Sequence, residues 1–229
     1  MLDIFRREIK YEIDPCLTEV LKQRLSAVLP ADPHNGTQGY LVRSVYFDTP
    51  DAADCCEKLD GVENRKKLRL RVYGFGDAPA KLELKQKQGA FQRKRSLTLS
   101  RPQAEQLLAG DSSCLEDCGE FGQQMARLMA LGAYRPSCLV EYDRIAFCCP
   151  TNDTRVTLDS RLRSSEGCFR LYDPTVQLTP VGRPGMVTLE VKYDHFLLSF
   201  VKDSVNMAGM LNVSASKYCR CRQFGIGGE

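Results

Sequence analysis

Lysines and arginines at every second residue are the part of this sequence that could do chemistry. Lys67-Leu68-Arg69-Leu70-Arg71-Val72-Tyr73 is followed, after a glycine turn, by Lys81-Leu82-Glu83-Leu84-Lys85-Gln86-Lys87. In a strand, residues i and i+2 project to the same side. Arg69 and Arg71 therefore form one basic row and Glu83, Lys85 and Lys87 another, with Leu68, Leu70, Val72, Leu82 and Leu84 on the apolar side. The same alternation places Glu8 with Lys10, Arg155 with Asp159, and Glu190 with Lys192, and it sets Arg144 beside Tyr142. With Lys94 these segments offer roughly nine converging cations. Like charges at that density are costly unless an anion neutralises them. A linear polyanion suits cations supplied by several strands at successive depths, and phosphate chains are the natural candidate, with arginine offering bidentate contacts and lysine point charges.

Glu8, Glu83, Asp159 and Glu190 fall on the same charged faces. Each could simply neutralise a neighbouring cation. Alternatively, one or two carboxylates together with phosphate oxygens would suit magnesium or manganese. Thiol chemistry is a weaker candidate. The eleven cysteines are odd in number, and no secretory signal pattern is present, so reduced thiols are expected. Cys55-Cys56, Cys148-Cys149, Cys219-Arg220-Cys221 and the Cys114/Cys118 spacing do not repeat a paired zinc-binding pattern. Only His34 and His195 could assist a nucleophilic cysteine.

The elements that must position these residues follow from periodicity. Strands are expected near residues 5–13, 40–48, 65–74, 80–87, 93–99, 137–147, 154–159, 168–173 and 186–194. Asp14-Pro15 opens a helix with Leu17, Val20, Leu21 and Leu25 as its apolar stripe, and Ser100-Arg101-Pro102 opens another with Ala104, Leu107 and Leu108. Phe121, Met125, Leu128 and Met129 mark a third helix, and Phe196, Phe200, Val205 and Met210 a fourth. Charged strand faces could look outward, as in a solvated sandwich, or inward, as in a barrel whose apolar exterior is covered by helices. The helical stripes need an apolar surface to cover, which favours the inward arrangement. The expectation is an α+β fold: a closed antiparallel β-barrel tunnel of about eight strands with a charged lumen, helices packed outside, forming a single domain over 1–229.

Composition bounds the partners. The chain has 229 residues, 43% hydrophobic and 27% charged, as in an ordinary soluble protein. With 32 basic and 29 acidic residues the net charge is only +3, so no global field argues for nucleic acid. No apolar run approaches the roughly 20 residues of a membrane span. A cytoplasmic location is expected, which leaves room for a membrane-embedded partner.

The ordered set Arg7-Glu8-Ile9-Lys10-Tyr11, Ser44-Val45-Tyr46-Phe47-Asp48, Leu68-Arg69-Leu70-Arg71-Val72-Tyr73-Gly74, Glu83-Leu84-Lys85, Tyr142-Asp143-Arg144, Arg155-Val156-Thr157-Leu158-Asp159, Leu189-Glu190-Val191-Lys192 and Ser216-Lys217-Tyr218 resembles the VTC domain. This is the catalytic domain of vacuolar transporter chaperone polyphosphate polymerases and their bacterial relatives, grouped with the triphosphate tunnel metalloenzymes (CYTH-like superfamily). The resemblance spans nearly the whole chain. It implies an antiparallel tunnel that binds ATP or another triphosphate and inorganic polyphosphate, with manganese or magnesium as cofactor. On the matching motifs, Lys10, Arg69, Arg71, Lys85, Lys94, Arg144, Arg155, Lys192, Ser216 and Lys217 would bind phosphate. Glu190 would hold the metal, and Lys217, Glu190, Arg69 and Arg71 would be catalytic. The implied reaction is transfer of the ATP γ-phosphoryl group to the end of a growing polyphosphate. Such a transfer needs no protein nucleophile, because a terminal phosphate oxygen can attack in line. A tunnel triphosphatase or other nucleotide-processing enzyme is an alternative, and a noncatalytic polyphosphate-binding subunit another. Glu8-Ile9-Lys10-Tyr11-Glu12 departs from the Glu-x-Glu-x-Lys pattern of many tunnel phosphohydrolases, which counts against a simple triphosphatase.

Overall fold

The computed structural model describes residues 6–89, 91–206, 211–214 and 216–222. In chain order the elements are β1 (Arg6–Ile13), α1 (Pro15–Val28), β2 (Tyr40–Asp48), α2 (Ala53–Leu59), β3 (Asn64–Tyr73), β4 (Ala80–Gln88), β5 (Phe91–Leu99), α3 (Arg101–Leu108), α4 (Gly119–Leu131), β6 (Arg135–Cys149), β7 (Thr154–Ser165), β8 (Thr179–Pro180), β9 (Val187–Asp194), α5 (Ser199–Val205), β10 (Leu211–Asn212) and α6 (Lys217–Cys221). The hydrogen-bonded order is β10-β1-β9-β7-β6-β2-β3-β4-β5, with β8 beside β7. Eight of these strands have eight residues or more, and β8 and β10 have two each. The α+β class and the number of long strands match expectation. Closure does not: the order is an open path, and among the described residues β10 and β5 do not pair. Arg93-Lys94-Arg95 runs along the β5 edge, and consecutive charge of that kind discourages further strand addition.

The chain divides into two compact units. The first comprises Met1–Leu41, Tyr142–Leu162 and Pro180–Ser216. Its core joins the apolar sides of β1, β7 and β9, represented by Ile13, Val156, Leu158, Leu189 and Val191, to Leu21 and Leu25 of α1 and Val201 and Val205 of α5. α1 begins where expected. The Asp14 carboxylate accepts the Cys16 N–H at 3.1 Å, and Pro15 supplies a pre-set φ in the first turn. Its buried stripe is Thr18, Leu21 and Leu25, whereas Val20 is 42% exposed. The expected fourth helix is shorter and rotated from its predicted stripe: Val201 and Val205 are buried, Phe196 and Phe200 are exposed, and Met210 lies outside the described residues.

The second unit comprises Val42–Glu141, Arg163–Thr179 and Lys217–Glu229. Leu68, Leu70, Val72, Leu82 and Leu84 are all 2% exposed or less and share a core with Leu107 of α3 and with Met125 and Met129 of α4. Removing one such leucine side chain costs about 2–5 kcal/mol in a packed interior. A reciprocal Ser100–Gln103 capping box starts α3. The strand expected over 168–173 is absent. Its carbonyls at Arg170, Leu171 and Asp173 accept from the buried Arg43 guanidinium at 3.5, 3.5 and 2.5 Å instead of from a neighbouring strand. Arg43 is itself paired with Glu141 at 2.6 Å, and Leu171 and Tyr172 fill the core.

All eleven cysteines are free thiols. Two contacts between them hold α6 within the second unit. The Cys55 thiol meets that of Cys219, and the Cys138 thiol meets that of Cys221.

Candidate phosphate-binding faces

In the second unit the antiparallel registers fix which charges share a surface. Lys67 lies opposite Lys85 and Lys85 opposite Lys94, while Arg69 lies opposite Glu83 and Glu83 opposite Ser96. Arg65 and Lys87 extend the face at one end, and Arg71 and Lys81 at the other. Among the described residues of β3, β4 and β5, the one acidic side chain is Glu83. Lys94 is thus the member of the Arg93-Lys94-Arg95 run that belongs to this face. Arg95 points to the helix side, donating to Gln124 at 2.6 Å with its guanidinium 4.7 Å from the Phe121 ring centroid.

Glu83 is a buried hub. Arg69 Nε reaches it at 2.7 Å and Arg71 Nη1 at 3.9 Å, and Lys94 pairs with its other oxygen. Burial alone would raise its pKa, but Arg69, Arg71 and Lys94 outweigh that and hold it at about 2. β2 supplies the neutral partners: Tyr46 OH accepts from Arg69 at 3.2 Å, and Ser44 Oγ accepts from Arg71 at 3.1 Å. Burial would likewise raise the Tyr46 phenol, yet the adjacent Arg69 and Arg71 lower it. The guanidiniums are thereby fixed in orientation before any ligand arrives, and such preorganisation strengthens anion binding.

Behind Tyr46 lies a second, buried network. The Tyr218 ring stacks on that of Tyr46, with centroids 4.7 Å apart and planes at 13°. Its hydroxyl donates to Asp48 at 2.5 Å and lies 3.0 Å from Ser137 Oγ. Asp48 also accepts the backbone N–H groups of Asp54 and Cys55 at the start of α2. Lys217, the residue before Tyr218, opens α6 and is half-buried, as is Ser216 in the first unit.

The first unit presents a different charge pattern. Glu8 lies opposite Lys192 and Lys10 opposite Glu190 on β1 and β9. Lys10 Nζ is 2.7 Å from Glu8 and 3.5 Å from Glu190, and Lys192 contacts Glu190 and sits 3.9 Å from Glu8. Burial would lower the Lys10 pKa, but Glu190 and Glu8 raise it instead. Arg144 forms a two-pronged pair with Asp159 at 2.6 and 2.8 Å. Arg155 donates to Asp32 at 2.6 Å and to Tyr40 OH at 2.9 Å. Gly39 packs directly on the Arg144 backbone: a Cβ there would lie 2.2 Å from the carbonyl oxygen, and its φ of 90° already favours glycine.

The donor chemistry of Glu8 and Glu190 fits a hard divalent cation, which takes one or two carboxylates and completes its shell with phosphate oxygens. No group of three or more His, Cys, Asp or Glu side chains suited to a metal occurs among the described residues. Lys10 and Lys192 already balance the two carboxylates. A metal here would therefore need its own anionic ligand beside it.

A cleft of about 460 Å³ lies elsewhere in the second unit, against α3 and the 169–173 segment, lined by Arg101, Leu108, Phe169, Leu171 and Tyr172 among others. It is on the helix-covered side, not on the cationic face.

The VTC domain model matches residues 5–225. The chain belongs to the VTC domain family. A search of curated proteins finds no match. Among solved structures, this VTC domain is similar to a protein of Bacillus halodurans described only as a candidate adenylate cyclase, at 17% identity and a TM-score of 0.46 over 88% of this chain and 84% of that one. A protein of Vibrio parahaemolyticus with the same description matches at 12% identity and a TM-score of 0.47 over 88% and 83%. A chain of the Schizosaccharomyces pombe Mediator head module matches at 12% and 0.46 over 87% and 88%.

Sequence reasoning on this VTC domain quoted Lys67, Ser44, Tyr46, Asp48 and Tyr218 within its motifs but gave none of them a place beside the cationic residues. Lys67 was detectable, since it shares the phase of Arg69 and Arg71. The others carry no charge pattern of their own, and only strand pairing reveals them.

Proposed function

We propose that this VTC domain is a polyphosphate polymerase-type phosphotransferase, active as one domain over 1–229, which transfers the γ-phosphoryl group of ATP to the end of a polyphosphate chain. The observation that carries this reading is the surplus of lysine and arginine over the lone Glu83 on β3–β5. Arg69 and Arg71 grip the transferred phosphate and stabilise its developing charge, with Lys85 and Lys94 extending the track along which further phosphates lie. Lys10, Arg144, Arg155, Lys192 and Ser216 add to the phosphate path, and Lys217 orients the reacting groups. Glu190 would hold manganese or magnesium, which when bound supplies charge neutralisation at the phosphate oxygens. No helix among the described residues is long and apolar enough to cross a membrane. We place the domain in the cytoplasm, where a separate membrane protein could receive the product.

A noncatalytic polyphosphate-binding role is the second reading. It is favoured by the Lys10 and Lys192 contacts that already occupy Glu190. Incubation with ATP and manganese, with and without a short polyphosphate primer, separates the two. Chain growth on a gel with matching ADP release is expected for the polymerase. Free phosphate without growth would identify a triphosphatase, and tight polyphosphate retention without turnover a binding subunit.

A further inference from the structure

Tyr73 closes β3 two residues beyond Arg71 and four beyond Arg69 and shares their face by alternation. At about 3.3 Å of rise per residue, its backbone lies roughly 13 Å along the strand from that of Arg69. Its side chain is 46% exposed, although the rest of this face consists mainly of charged groups. The β3–β4 register ends at Arg71 and Lys81, so Tyr73 stands past the last paired residue on that side, and Gly74, with φ 80°, turns the chain away. The ring is also held in place. Arg71 lies over it at 5.9 Å from the centroid and donates a hydrogen bond to its hydroxyl, and Arg71 is itself anchored on Ser44.

Phosphates need only the cations. A fixed, half-exposed aromatic ring at the open end of a cationic track has no use for a bare phosphate chain. It offers instead a surface on which a planar ring can stack. We propose that Tyr73 is the stacking platform for the base of a nucleoside triphosphate whose phosphates lie along Arg71, Arg69 and Lys94. The proposal rests on the phosphate-binding reading of the β3–β5 face. It makes Tyr73 the residue that distinguishes a nucleotide from polyphosphate, which shares the cations but has no base. Because every base has a π-face, the platform is tolerant, and ATP and GTP should bind alike.

The test is calorimetric titration of ATP and of inorganic tripolyphosphate into the wild-type chain, Tyr73→Ala and Tyr73→Phe. Loss of one stacked base predicts ATP binding roughly 5- to 150-fold weaker in Tyr73→Ala. Tripolyphosphate affinity should not change in that variant. Tyr73→Phe, which loses the hydroxyl contact to Arg71 but retains the ring, should keep ATP affinity. Equal weakening of both ligands in Tyr73→Ala would show that the residue only steadies Arg71 and would overturn the proposal, as would unchanged ATP binding. Failure of the wild-type chain to bind tripolyphosphate would remove the phosphate-binding reading itself. Binding of tripolyphosphate without ATP would overturn the base subsite alone.

Discussion

Two charged surfaces of this molecule use the same residue types to opposite ends. On β3–β5, Arg69 and Arg71 of β3 and Lys94 of β5 share one carboxylate, Glu83 of β4. In the first unit, Lys10, Arg144, Arg155 and Lys192 each have a carboxylate partner in Glu8, Asp159, Asp32 or Glu190. Cations that share one carboxylate repel one another, and an incoming polyanion relieves that repulsion. A cation with a carboxylate of its own carries less of that repulsion. Its ion pairs support the structure, and a ligand must displace a partner to enter. We propose that anion affinity originates on the cationic face.

The comparison fails most visibly if Glu190 is dispensable. Glu190→Gln should abolish metal-dependent turnover while leaving polyphosphate retention largely intact; equal turnover by both proteins would take the residue out of its assigned role. The next largest effect is expected at Arg144. Arg144→Ala strands the buried Asp159 and should lower the unfolding free energy by about 3–5 kcal/mol in a urea titration. Arg69→Ala should act the other way round, weakening tripolyphosphate binding by about tenfold or more, the worth of a charged hydrogen bond, with a smaller effect on stability. If both substitutions chiefly altered binding, or both chiefly altered stability, the distinction between the two surfaces would collapse.

A further test lies in pH slopes of opposite sign within the second unit. Glu83 is held at about 2, below its ordinary 4.5, so its stabilising contribution is complete above pH 4.5 and disappears as pH falls towards 2. Asp54 is raised to about 6 from 3.8, chiefly by burial, despite contacts from Lys66 at 3.0 Å and Tyr134 at 2.9 Å. The folded state therefore binds its proton more tightly than the unfolded chain, and stability declines as pH rises from about 4 to 6. Asp54→Asn should flatten that decline and gain on the order of 1 kcal/mol at pH 7. Denaturation midpoints measured from pH 3 to 8 would check both slopes.

Alternation makes the charged and apolar faces legible in the sequence, because a strand's period of two leaves Leu68, Leu70 and Leu82 nowhere else to go. The capped starts of α1 and α3 were legible for a similarly local reason. Partner choice was not. Arg155 meets Asp32 across 123 positions, and Arg43 meets Glu141 across 98, distances over which a sequence pattern says nothing. The Arg93-Lys94-Arg95 run could not be phased from sequence because each member is basic; the Lys85 partner decided it. Closure was equally out of reach, since it depends on whether the two terminal strands of the order meet. The false strand at 168–173 had strand-like composition, but its carbonyls were claimed by a guanidinium from far away.

Tyr218 bonds to Asp48 across 170 positions, and the segments of the two units alternate along the chain. Biogenesis inherits this arrangement. A ribosome emitting the chain from its N-terminus completes β2 and α2 long before the residue that caps their buried carboxylate exists. Asp48 must wait, solvated or wrongly partnered, until α6 emerges. Final closure of the second unit is therefore a late, long-loop event, of the kind that slows folding and lengthens the period in which chaperones can engage the chain.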